Sequence, residues 1–199
     1  MKATYPVLIH FLYTLLGRVT KASQGCEQLK TLSIVLLCTV AAVLYGIAHD
    51  EITARICVEY FTFGHPDIFG TESPTLLGIG WGIVATWWVG LFLGVVLAFA
   101  ARFGKRPKVA PRALVRPVSR LLLVMAYCAS LAGLLSLIAA RLHWVSLEGE
   151  LAAIVPPSKQ NGFLVALWMH STSYGVGFLG GLFLTFKTWR GRVLSQDTA

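Results

Sequence analysis

Charge-free apolar runs alternate with short charged connections along this chain, and the run lengths set the expected elements. Thr31 to Ala48, Leu76 to Ala101, Leu121 to Ala140 and Gly162 to Phe186 contain no Asp, Glu, Lys or Arg. Each matches the roughly 18 to 25 apolar residues with which a helix crosses ~30 Å of hydrocarbon. A helix closes its backbone hydrogen bonds within one segment, so the runs predict an all-α, polytopic membrane protein with four transmembrane helices. Residues 31–199 are the expected transmembrane domain, and residues 1–30 a cytoplasmic N-terminal segment. In that segment Tyr5 to Gly17 is apolar but too short to span comfortably, and Arg18, Lys21 and Lys30 follow it. It is expected to lie on the membrane as an interfacial helix.

The second and fourth runs share a pattern. "TWWVGLFLGVVLAF" (Thr86 to Phe99) aligns without gaps on "SYGVGFLGGLFLTF" (Ser173 to Phe186), placing Gly90 on Gly177 and Gly94 on Gly181. Two duplicated helical hairpins would give this pattern, with a pseudo-two-fold axis along the membrane normal; chance similarity of Gly- and Leu-rich strings is the competing explanation. Each glycine pair is a Gly-x-x-x-Gly step, which leaves one helix face bare and lets a neighbouring backbone approach. Gly90, Gly94, Gly177 and Gly181 are the expected packing positions, with the second and fourth spans as the central pair.

Charge orients these elements. The formal net charge is +8, and 17 residues are Lys or Arg. The second connection, "RFGKRPKVAPRALVRPVSR", is basic throughout and holds no acid. The N-terminal segment and the tail are basic as well, whereas the first and third connections hold most of the acids. The positive-inside rule then places both termini and the second connection in the cytoplasm. The basic loop has no interleaved aromatics and no fold that presents it, so anionic lipid is its expected partner and nucleic acid is not. Four cysteines without a C-x-x-C, spread over both sides and the interior, do not form a disulfide framework.

Candidate chemistry gathers at the outer side. His170 lies inside the fourth run, with Ser173 and Tyr174 at i+3 and i+4 on the same helical face. Tyr45 and His49 form an i, i+4 pair at the outer end of the first run, and the second run adds Trp81 and Thr86. Tyr45, Trp81, Thr86, Ser173 and Tyr174 are therefore candidates to line an outward-facing polar cavity. Imidazole and carboxylate together suit a transition metal, and His49, Glu59, His65 and His170 are the candidate ligands. The competing reading is that His170 makes one interhelical hydrogen bond, as polar side chains in membrane helices commonly do. Haem fits poorly, because His170 is the only histidine well inside a run. No G-x-S-x-G, H-E-x-x-H or phosphate-binding glycine loop occurs.

The first connection opens "HDEITARICVEYFTFGHPD", His49 to Asp67. Ile52, Ile56 and Phe61 fall near one helical stripe, and Glu51, Arg55 and Glu59 on another. A short helix lying on the outer surface is expected, capped by Asp50. "ITARICVEYFTFGHP" followed by "PTLLGIGWGIVATWWVG" resembles a signature of uncharacterised bacterial integral membrane proteins. The resemblance covers residues 45–94 and implies a bacterial inner membrane, with no activity, cofactor or catalytic residue attached. The expected function is non-enzymatic: a membrane protein binding a partner or small ligand through its outer loop, residues 49–75, and the outward cavity. A transporter of metal ions or small solutes is the alternative, and a membrane-embedded enzyme is third. Beyond the bilayer, another membrane protein or a second copy of the chain is the expected macromolecular partner.

Overall fold

A computed structural model describes the backbone of residues 5–197, with side chains at residue 25 and residues 27–192. Lys2, and the side chains of Arg18, Lys21 and Cys26, lie outside the described residues. Every regular element described is helical. The first, α1, runs unbroken from Tyr5 to Ile56. The interfacial helix expected at Tyr5 to Gly17 and the first apolar run are thus one helix. Between Gly17 and Lys30 the chain has no proline, and it is rich in Arg, Lys, Ala, Gln, Glu and Leu, so nothing there ends a helix.

The second apolar run is two helices, α3 (Pro74–Val84) and α4 (Trp87–Arg102), after a single turn, α2 (Glu59–Thr62). Ser73 caps α3 by accepting from the Leu76 amide, with Pro74 in the first turn. α5 covers Pro111–Arg141, α6 is the short Gly149–Ile154, and α7 covers Gln160–Asp197. Among the described residues, three segments are long and apolar enough to cross a membrane: Glu27–Ile56, Pro74–Arg102 and Pro111–Arg141. In α7 the polar run His170 to Tyr174 dilutes the hydropathy.

The apolar side chains of these segments face outward. Leu32, Leu36, Val40 and Leu44 recur every fourth residue along α1, each more than half exposed. Leu123, Val124, Tyr127 and Leu134 on α5 are likewise more than half exposed. Contiguous apolar surface of this extent is untenable in water and is what hydrocarbon wets. The chain is a membrane protein on that ground.

Glycines decide which helices touch. A Cβ at Gly82 would sit 2.5 Å from the Ile47 backbone, and one at Gly90 would sit 2.7 Å from Ala42 and 2.8 Å from Thr39. One at Gly94 would meet Cys38 and Val35 at 3.0 Å. The glycine stripe of the second run therefore faces α1. Gly177 instead meets Met125 of α5, and Gly181 meets Leu93 of α4. This corrects the expected central pairing: the principal pairs are α1 with α3 and α4, and α5 with α7, while α4 and α7 meet less extensively. The glycines matched between the two runs have different kinds of neighbour, and α7 is unbroken where α3 and α4 are divided.

The inner ends are tied by charge. Buried Arg102 reaches Glu27 of α1 at 2.6 Å and the Val109 carbonyl at 2.7 Å, and Lys108 joins the same carboxylate at 2.7 Å. Arg192 of α7 donates to the carbonyls of Ala100, Phe103, Arg106 and Pro107. It thus satisfies carbonyls at the C-terminal end of α4 that have no partner further along the helix.

The outer end differs from expectation. The stretch from His49 is no separate surface helix, because α1 carries straight through it to Ile56. Its buried face is also the other one. Asp50, Thr53, Ala54 and Cys57 are buried, whereas Ile52 and Ile56 are exposed. The stripe buried below, at Ile34 and Cys38, sets the inward face, and the helix keeps that phase. Tyr60 and Phe61 of α2 then fold under, against Phe163 and Leu77.

Candidate functional site

Where the C-terminal part of α1 crosses α7, four buried polar side chains meet. α1 supplies His49 and Asp50, and α7 supplies His170 and Ser173, each less than a tenth exposed. Nδ1 of His170 lies 2.8 Å from the Ala166 carbonyl one turn back, and Nε2 lies 3.0 Å from Oδ1 of Asp50. A carbonyl only accepts, so Nδ1 carries a proton and donates it to Ala166. Nε2 and the carboxyl oxygen then hold a single proton between them. The pair is either imidazolium with carboxylate, or imidazole with carboxylic acid, and both forms have zero net charge. That neutrality makes the pair tolerable in a low dielectric, where an isolated ion is not.

A second chain of contacts runs beside it. The hydroxyls of Tyr45 and Ser173 are 2.7 Å apart, and Ser173 Oγ is 3.5 Å from Nδ1 of His49. Nε2 of His49 is buried and has no hydrogen-bond partner among the described residues. The His49 and His170 rings meet edge to face with centroids 4.6 Å apart. Tyr60 covers His170 from outside, its ring stacked at 4.5 Å.

The expected metal set divides here. His49 and His170 come together; Glu59 and His65 do not join them. Glu59 pairs with Lys159 at 3.0 Å and accepts from Cys57 Sγ at 3.4 Å. Burial opposes ionisation of Glu59, but the Lys159 ammonium and local hydrogen bonds outweigh it and hold the carboxyl below its ordinary range. His65 donates from Nδ1 to the Tyr60 carbonyl at 3.0 Å and stands against Tyr60 and Trp81. Burial lowers its pKa and keeps it neutral. Asp50 takes the place expected for Glu59. A ring nitrogen of His49, a carboxylate oxygen of Asp50 and a ring nitrogen of His170 all lie within 4.8 Å of one another.

Below this cluster a cavity of about 110 Å³ descends between α1, α4, α5 and α7. Tyr45, Thr86, Ser173 and Tyr174 line it, together with His49, Asp50 and His170. Trp81 does not; it packs outside, 4.6 Å from His65 and 5.6 Å from Phe69. The break between α3 and α4 puts Thr86 at the wall. Its hydroxyl bonds the Gly82 carbonyl, and its methyl fills the space that a side chain at Gly46 would need. Further in, the wall is Gly90, Leu93, Leu97, Val118, Leu122 and Leu184.

The missed residue, Asp50, has a signal in the sequence. Ile34, Cys38, Tyr45, His49 and Thr53 recur at helical steps of seven and four, so the inward stripe passes through "HDEIT". Ending the first run at the first charge concealed that continuity. No protein-family model matches this chain, and neither a curated protein nor a solved structure is found to resemble it.

Proposed function

We propose that the chain is a four-span, bacterial inner-membrane protein that binds an amphiphilic small molecule in its central cavity, and that it is not an enzyme. The exposed apolar side chains Phe178, Leu179, Phe183 and Phe186 on α7 support the fourth span. The basic second connection supports cytoplasmic termini.

The observation that carries the binding reading is the cavity's polarity. Its polar groups gather at the His49 end, and the rest of its wall is apolar: Ala, Val, Leu, Met125, Phe178, glycine and the Cys38 thiol. From His49 to Cys38, both lining it, α1 rises about 16 Å at ~1.5 Å per residue. A narrow apolar cleft of about 110 Å³ with convergent polar groups at one end suits a small ligand with a polar head and a short apolar tail. The contacts of Arg102 and Arg192 tie α4 to α1 and α7 at the inner end, which supports holding a ligand over passing one. A hydrolytic relay is not assembled, because Asp50 bonds His170 while Ser173 approaches His49.

Two experiments test this reading. Reporter fusions after Arg112 and after Arg192 are expected to report cytoplasm, and one at Gly70 the outside; a cytoplasmic signal at Gly70 overturns the orientation. Organic extraction of the purified protein, followed by mass spectrometry, is expected to release close to one equivalent of an amphiphile. Leu122→Trp, which fills the cleft from α5, should reduce that yield about tenfold, equivalent to ~1.4 kcal/mol of binding. Wild type that yields none, or a folded Leu122→Trp variant that yields as much, contradicts it.

A further inference from the structure

We propose that His49, Asp50 and His170 bind a divalent transition ion of the Zn²⁺ class at the head of the cavity. Two imidazoles and one carboxylate form a donor set well suited to Zn²⁺, and three protein ligands leave a fourth position open. Three observations join in support. The donor atoms are already within 4.8 Å of one another, on two helices that pack together. His170 is oriented as ligating histidines commonly are: Nδ1–H is spent on the Ala166 carbonyl, which aims Nε2 at the shared centre. Finally, His49 carries a buried nitrogen with no partner, a costly arrangement that a ligand would relieve.

The exchange balances simply. The ion enters, Asp50 and both imidazoles donate lone pairs, and the one proton shared by Asp50 and His170 leaves to solvent. No electron moves. The site gains one unit of positive charge, which an anion at the open fourth position would neutralise. This proposal needs the three side chains and not the cleft beneath them, so it stands or falls separately from amphiphile binding.

The test uses the full-length protein in detergent, stripped with a chelator, with Co²⁺ as the spectroscopic probe and Zn²⁺ as competitor. Wild type is expected to take up one Co²⁺, to show the intense visible absorption of low-coordinate cobalt, and to lose it when Zn²⁺ is added. Asp50→Asn and His49→Gln should each weaken uptake by at least about tenfold, since losing even a residue that only hydrogen-bonds a ligand costs about 10- to 100-fold. His49→Gln keeps the Asp50–His170 pair and so remains informative if Asp50→Asn does not fold. Leu122→Trp should retain Co²⁺ while losing the amphiphile, which separates the two proposals. Wild type that binds neither ion above a detergent blank, or folded His49→Gln that binds Co²⁺ as tightly as wild type, overturns the site.

Discussion

Gly82→Leu is expected to leave almost no folded protein in the membrane. A Cβ at this position would lie 2.5 Å from both the Ile47 nitrogen and its Cα, and 2.8 Å from the Gly46 carbonyl carbon. These are backbone atoms, so no rotamer change can relieve the clash. On the facing side a Cβ at Gly46 would meet the Gly82 carbonyl oxygen at 2.5 Å, so the two backbones lie directly against each other. Lipid supplies no hydrophobic drive between helices, and close backbone packing is what holds α3 on α1. Separating them costs more than the ~1–3 kcal/mol of ordinary overpacking. It also withdraws Thr86 from the cavity wall. The check is detergent-solubilised yield and gel filtration beside Gly70→Ala. Gly70 has open space around it, and its positive φ makes that change a mild backbone strain only. Gly82→Leu with wild-type yield and thermal midpoint would mean that α1 and α3 do not touch.

Asp50→Ala is the second large effect. It leaves Nε2 of His170 buried without its partner, while Nδ1–H stays on Ala166. Breaking a buried pair from one side costs about 3–5 kcal/mol, because the remaining group keeps its desolvation penalty. Thermal unfolding in detergent is the measurement. Asp67→Ala is a fitting control, since that carboxylate accepts only from the Gly70 amide in an exposed loop. A midpoint for Asp50→Ala equal to the control would show that the pair contributes nothing.

The membrane character of the chain was legible in the apolar runs, because run length and charge position answer directly to bilayer thickness. Helix continuity was less so. The charges at Arg18, Lys21 and Lys30 suggested a boundary, but charged residues are good helix formers and only proline or a glycine cap would have ended α1. The division at Ala85 and Thr86 has no proline to announce it. The glycine steps mark bare faces, yet nothing in one sequence says which helix a bare face meets. Of the site, His49, Tyr45, His170 and Ser173 were legible as polar groups at helical spacing near the outer ends. Asp50 was not, because a charged residue one step beyond an apolar run reads as solvated. Its burial depends on His170 arriving from α7, 120 residues away. Glu59 and His65 were grouped with the site by nearness in sequence, whereas α2 turns them towards Lys159 and Trp81.

The head of the cavity rests on the pairing of Asp50 with His170 within the packed helices, and a double-mutant cycle measures that pairing directly. Thermal or denaturant unfolding of wild type, Asp50→Ala, His170→Ala and the double variant in one detergent supplies the four numbers. The predicted result is a coupling of about 1.5–3 kcal/mol, with the double variant far less damaged than the sum of the single changes. Strictly additive effects would contradict it, for they would place the two side chains out of contact and remove the head of the cavity with them.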